Sequence, residues 1–419
     1  MQFCRIPVRK RLATAAAAVV AMLGGVAGAG AAPLSLNLAA TLANTKAMLS
    51  AGQRADITVL GDSLSARPGT YLPSLTAKLQ ARYGDAGAGY QGFSLWTGAG
   101  FNGGWLYTGI NTDNPPYHSL DGLWNRYDGV TGWPNNSVFT PRNSEVELHY
   151  MTQPGGGSFQ IRRGDFGPVH STISTDGPAG AVATYRYTLN PGESQYTIVP
   201  AGGGSFTVLG QNNLRESPGV RVHRAANGGW GVNNFLRRDG TFDQQLQLVD
   251  TDLFVVWVGQ NDQGFTRQTY APKINQLVDR LYAAVPDARI LLVGTYDQGA
   301  SPLSGLVEAV ADVAQARGLG FINLYRAAGD AAFFNGQGYL DDGIHFSPAG
   351  GEYLAELLYQ AFISDGRSLR DPRDTVVPTF GVQFPTGGEW AAPSIIPEPA
   401  TGLAGVVMLA LLAGRRPRE

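Results

Sequence analysis

Cysteine is almost missing from this chain. The one copy, Cys4, lies in a leading segment that reads as removable, so no disulfide framework is available and stability must come from burial. Charge is sparse too: 15% of the 419 residues are Asp, Glu, Lys or Arg, and the net charge is −2. That balance leaves no broad basic surface and speaks against nucleic acid as a partner. There is no Gly-Lys-Ser/Thr phosphate loop and no His/Cys cluster with metal-ligand spacing, so no metal or cofactor is expected. His118, His149, His170 and His223 are scattered and read as structural or surface residues. Also absent is Gly-x-Ser-x-Gly, the strained strand-to-helix elbow that presents many catalytic serines.

Long apolar runs occur only at the two ends. Arg5, Arg9, Lys10 and Arg11 precede an Ala-rich run from about Leu12 to Ala29, and Ala29-Gly30-Ala31 offers a small-residue cleavage site. These are the three parts of a secretory signal peptide, assigned to residues 1–31. At the other end, Pro397-Glu398-Pro399-Ala400-Thr401-Gly402 leads into an apolar run to Ala413 and then Arg415-Arg416. That run is shorter than the ~20 residues a membrane helix needs. A plain C-terminal anchor is one reading. The order of motif, apolar stretch and arginine pair over 397–419 resembles the PEP-CTERM sorting signal. The resemblance implies transient anchoring at the inner membrane through this segment alone. A sorting protease of the exosortase type would then process the chain for delivery to the cell surface or extracellular matrix.

Between the ends, two textures alternate. Strands are expected at Asp56–Leu60, Val220–Ala225, Leu253–Val258, Arg289–Val293 and Gly320–Leu324. Helices are expected at Tyr71–Tyr83, Phe235–Leu248, Ala271–Ala284, Leu303–Arg317 and Pro348–Phe362. Continuous apolar strands alternating with helices predict an α/β fold, a three-layer α/β/α sandwich around a five-stranded parallel sheet. Ligands then sit at the carboxyl ends of the strands. Over 97–213 the apolar period becomes two, as in Val146, Leu148, Tyr150 and in Tyr185, Tyr187, Leu189, with glycine clusters between runs. This reads as an antiparallel β module inserted into the α/β domain, whose two parts are 32–96 and 214–370. Residues 371–396 are Pro- and Gly-rich and read as a linker.

Chemistry concentrates in three short blocks. Gly61-Asp62-Ser63-Leu64-Ser65 ends a strand with a serine at the start of a helix. Gly259-Gln260-Asn261-Asp262 follows another strand, and Asp342-Gly343-Ile344-His345 supplies an acid and a base three residues apart. A serine hydroxyl needs an adjacent base to become a nucleophile, and the base needs an orienting partner. In chain order these blocks resemble the first, third and fifth blocks of the SGNH (GDSL) hydrolase family, a flavodoxin-like fold. The resemblance implies Ser63 as nucleophile, His345 as base and Asp342 as its orienter. It also implies an oxyanion hole of Ser63 N–H, the Asn261 amide and a glycine N–H from the second block, Ala226-Asn227-Gly228-Gly229-Trp230-Gly231-Val232. Family spacing favours Gly231, and Gly229 is the alternative. Asp62 and Asp262 are expected to bond loop backbone.

Trp96, Trp105, Trp124 and Trp133, with Tyr107 and Tyr117, crowd the first part of the inserted module. They suit stacking on sugar rings or, equally, a module core. Leu79 to Tyr90 resembles the segment after the first block in bacterial peptidoglycan O-acetylesterases, which also carry an interrupting β module. The resulting expectation is an exported carbohydrate O-acetylesterase acting on an acetylated polysaccharide or other ester. A lipase/acylhydrolase, an O-acetyltransferase and an inactive surface carbohydrate-binding protein are the alternatives.

Overall fold

The computed structural model describes residues 32–372 apart from 68, 93–106, 109–117, 128–135, 140–143, 165–166, 194 and 300–302. Residues 1–31, 373–396 and 397–419, where a signal peptide, most of a linker and a sorting signal were expected, lie outside the described residues, as do Trp96, Trp105, Tyr117 and Trp133 and the side chain of Tyr107. Among the described residues no helix is long and apolar enough to cross a membrane.

The strands, in chain order, begin with β1 (Ser35–Leu36), β2 (Arg54–Gly61), β3 (Gly89–Gly92), β4 (Tyr107–Thr108), β5 (Asn125–Tyr127) and β6 (Asn136–Phe139). Next come β7 (Glu145–Thr152), β8 (Ser158–Arg163), β9 (Val169–Ser174), β10 (Ala181–Thr188), β11 (Gln195–Gly202) and β12 (Phe206–Leu214). The last are β13 (Gly219–Ala226), β14 (Leu253–Trp257), β15 (Arg289–Gly294) and β16 (Gly320–Asn323). The helices are α1 (Leu38–Ser50), α2 (Ser63–Ala66), α3 (Tyr71–Tyr83), α4 (Val232–Leu236) and α5 (Gly240–Leu248). They continue with α6 (Arg267–Ala284), α7 (Ser304–Arg317), α8 (Leu324–Ala327), α9 (Ala331–Gly336) and α10 (Pro348–Ser364).

The main sheet runs β1-β16-β15-β14-β2-β13. Its five long strands are parallel, as the apolar runs predict, and the two-residue β1 adds an antiparallel edge. Each central strand is apolar on both faces because helices cover both. Leu60, Phe254, Val256, Ile290, Leu292 and Phe321 pack with α4 to α7, while Ile57, Val59, Leu253, Leu291, Val293 and Ile322 pack with α1, α3 and α10. The helix expected over Phe235–Leu248 is two helices, since Asp239 caps a new one by accepting the Thr241 N–H at 3.0 Å. Neither β1 nor α1 was expected from the sequence. The α1 stripe Leu38, Leu42, Leu49 is interleaved with Thr41 and Thr45, both buried, so polar residues occupy the inward face and mask the helical period.

The inserted module is a sandwich of two antiparallel sheets, β10-β7-β12-β5-β4 and β6-β11-β8-β9. Val146, Leu148 and Phe206 from one sheet meet Phe159, Ile161 and Ile198 from the other in its core. One boundary differs from expectation. β3, placed in the α/β part by its sequence position, pairs with β12, so the module's sheet begins at Gly89 rather than at residue 97. A four-residue strand with two glycines carries too little apolar pattern to declare its sheet.

Candidate active site

β2 ends at Gly61, which pairs with Ala226 of β13 on one side and Trp257 of β14 on the other. The loops after these three strands therefore emerge together at one sheet edge, carrying Ser63, the Asn227–Gly231 turn and Asn261. Gly61 must be glycine, since a Cβ there would overlap Ser65. Asp62 caps α2, its Oδ1 accepting the Leu64 N–H at 2.9 Å. Ser63 is the first residue of that helix, so its own N–H has no intrahelical acceptor and bonds to none of the described residues.

The hydroxyl of Ser63 lies 2.8 Å from Nε2 of His345, and Nδ1 of His345 lies 2.7 Å from Oδ2 of Asp342. With Nδ1–H donated to the carboxylate, Nε2 is left as an acceptor for the serine proton. The acid and base share one short loop. Oδ1 of Asp342 accepts the backbone N–H groups of Ile344 (3.1 Å) and His345 (2.8 Å), and Gly343 sits at φ +82°, in the left-handed region that glycine enters without strain. Tyr296 fastens the loop from β15's far end by donating to the Ile344 carbonyl at 2.5 Å. The His345 backbone N–H and imidazole hold the Asp342 carboxyl well below its ordinary range, so it is an anion at neutral pH. Arg67, just past α2, lies 3.5 Å from the same Oδ2.

The oxyanion donors divide. Asn261 is oriented by one amide hydrogen bond, Nδ2 to the Trp230 carbonyl at 2.9 Å, which leaves its second N–H free. Gly231, the favoured glycine, donates its N–H to Oδ1 of Asn234 at 2.9 Å in an N-terminal cap of α4, so in this conformation it is not an available donor. Its identity has another cause: a Cβ at 231 would overlap the Asp262 carboxylate. Gly229, at φ +74°, makes no hydrogen bond through its N–H to the described residues, so of the two candidate glycines it is the one whose N–H is left available. Sequence spacing could not see this, because the cap depends on the Asn234 rotamer.

Asp62 and Asp262, expected to bond loop backbone, bond instead the first turns of α2 and α4. Asp262 accepts the Val232 N–H with both oxygens (3.0 and 3.1 Å) and the Tyr270 hydroxyl at 3.0 Å. Asp62 is fully buried, and its Oδ2 has no hydrogen-bond partner among the described residues. Burial, with the Asp262 charge nearby, pushes its pKa up to about 7. His223 is buried far down β13, accepting the Tyr90 N–H at Nδ1 (3.0 Å) and bonded through Nε2 to Asp56 (3.0 Å), a structural role as expected. Tyr296, Arg67 and the buried pair Asp121 and Arg224 carried no local motif, so sequence reasoning passed over them. Among the described residues no group of His, Cys, Asp or Glu could hold a metal ion.

Comparison with known proteins agrees with this architecture. Residues 187–353 match the GDSL-like Lipase/Acylhydrolase family, so the chain carries a GDSL-like domain of SGNH fold interrupted by a β module. The match contains Asn261, Asp342 and His345 but starts beyond Ser63, on the far side of most of the inserted module. A solved structure described as a peptidoglycan O-acetylesterase in action is similar over 78% of this chain and 96% of its own, at 19% identity and TM-score 0.64. A family two carbohydrate esterase from Cellvibrio japonicus matches over 57% of this chain and 92% of its own, at 12% identity and a TM-score of 0.25 on which nothing rests. No curated protein matches the sequence.

Proposed function

We propose that this chain is an exported serine esterase that removes O-acetyl groups from a polysaccharide. The observation that carries the reading is the continuous relay from the Ser63 hydroxyl through both His345 nitrogens to Asp342, at 2.8 and 2.7 Å, beside a free N–H on Ser63. Ser63 Oγ attacks the acetyl carbonyl carbon as its proton passes to His345 Nε2. The developing oxyanion takes hydrogen bonds from Ser63 N–H, the free amide N–H of Asn261 and Gly229 N–H. Collapse breaks the bond to the sugar oxygen, which takes the proton from His345 to leave as a hydroxyl, and acetyl-Ser63 remains. Water, deprotonated by His345, attacks the acetyl group and releases acetate and the free serine. Asp342 keeps the proton on Nδ1 and stabilises the imidazolium at each stage.

The interrupted domain plan, similar to that of a protein described as a peptidoglycan O-acetylesterase, supports acetyl ester on carbohydrate as the substrate class. Export rests on the signal peptide over 1–31 and the sorting-signal resemblance over 397–419. Hydrolysis of p-nitrophenyl acetate, abolished in Ser63→Ala, tests the enzyme assignment, and an inactive wild type refutes it. Preference for acetate over octanoate esters separates the acetylesterase from a lipase. Acetate release from acetylated xylan, pectin, peptidoglycan and the cell's own exopolysaccharide then names the substrate.

A further inference from the structure

Among the described residues, the buried segment 118–123 joins the inserted module to the catalytic loops. Asp121 at its centre is fully buried. Its carboxylate accepts the Gly92 N–H (2.9 Å), the Leu123 N–H (3.1 Å) and the Ser119 hydroxyl (3.2 Å), and stands 3.8 Å from the Arg224 guanidinium. Arg224 donates in turn to the carbonyl of Ala66, the last residue of the helix that opens with Ser63, at 3.1 Å.

The backbone carbonyl of the same Asp121 accepts Nδ2 of Asn227 at 2.9 Å. Asn227 is itself buried and shapes the turn that carries Gly229: its Oδ1 accepts the Gly228 N–H at 2.7 Å and its N–H donates to the Gly61 carbonyl at 3.3 Å. Two further contacts press the segment onto that turn. Arg238 stacks 4.5 Å over the Trp230 ring while donating to the carbonyls of His118 and Ser119, and Gly122 packs so close to the ring that a Cβ would overlap it.

One carboxylate thus ties the nucleophile helix, by way of Arg224, to the donor turn, by way of its own main chain. We propose that Asp121 and Asn227 are positioning residues, through which the inserted module holds the Asn227–Gly231 turn in register with Ser63. The module then acts in the chemical step as well as beside it. This rests on the esterase reading above, and it predicts that the module cannot be loosened at 118–123 without loss of turnover on even the smallest ester.

The test uses the full chain carrying Asn227→Asp, which keeps the acceptor for Gly228 but lacks the donor for Asp121, and separately Asp121→Asn. On p-nitrophenyl acetate the expected result is a fall in kcat of about 10–100-fold with KM within about threefold, the signature of misplaced groups rather than lost binding. Amide hydrogen exchange, read by mass spectrometry, should speed up over 227–232 while β14 keeps its protection. Asn227→Asp with wild-type kcat, or with exchange over 227–232 unchanged, overturns the proposal. If Asp121→Asn does not fold, Asn227→Asp decides alone. An inactive wild type sinks the esterase reading only, because the exchange measurement still decides whether the module holds the turn.

Discussion

Replacing Asp62 by asparagine isolates the cost of a carboxylate buried behind the nucleophile. Asparagine keeps the shape and keeps an acceptor for the Leu64 N–H, while removing the ionisable group. In the folded chain the Asp62 pKa is raised from 3.8 to about 7, first by burial and then by Asp262. A carboxyl with a raised folded pKa binds its proton more tightly in the native state. Its contribution is fully present below the unfolded pKa and is lost as pH rises through the folded value. At pH 3 both states hold the proton, and Asp62 costs close to nothing. At pH 5 the unfolded state has released it and the folded state has not, so wild type has lost about 2 kcal/mol. By pH 8 the loss reaches about 4 kcal/mol, close to the full three-unit gap at ~1.4 kcal/mol per unit. The amide of the Asp62→Asn variant carries no such dependence. Urea unfolding of both proteins at pH 4, 5, 6, 7 and 8 should show the variant gaining on wild type at each step, with the gap levelling above pH 7. Groups away from Asp62 are common to both proteins and cancel in the difference, whereas Asp262, relieved of the neighbouring charge, ionises more readily in the variant. A gap that stays constant with pH, or that closes as pH rises, would refute the raised pKa of buried Asp62.

Three further outcomes follow from the site. Asp342→Asn should leave thermal unfolding nearly unchanged, since the side chain is half-exposed, yet lower kcat by about 10³–10⁴-fold because His345 loses its orienting anion. Asn261→Ala removes one oxyanion donor and should lower kcat by about 10²–10³-fold with KM little changed, measured on p-nitrophenyl acetate. Gly343→Ala places a side chain at φ +82° with open space around it, so only backbone strain is felt. The expected stability loss is about 1–2 kcal/mol by urea titration, and kcat should fall with it as the Asp342–His345 loop relaxes.

The chain's layout was legible because the main strands are short apolar runs and the module strands alternate. Burial on two faces and on one face leaves different marks in sequence. Leu253–Trp257 and Arg289–Gly294 come within a residue of their expected limits, and α3 spans Tyr71–Tyr83 as expected. The sequence missed β3's membership, because four residues with two glycines can pair with either domain, and the break at Arg237–Asp239, because it turns on a capping bond.

The site divides along the same line. Ser63 at a strand-to-helix junction, and the Asp342–His345 pair on one loop, were legible in sequence, since most of the contacts that shape each block lie within it: the Asp62 cap, the Asp342 bonds to Ile344 and His345, and the positive φ of Gly343. What the tertiary structure decided is everything that joins one block to another. It occupied the Gly231 N–H through the Asn234 rotamer, and it raised Asp62 by burying it near Asp262. It also brought Asp121, more than a hundred residues from Asn227, against the donor turn. Local geometry is written in neighbouring residue types, whereas burial, long-range charge and choice of hydrogen-bond partner exist only once distant segments pack.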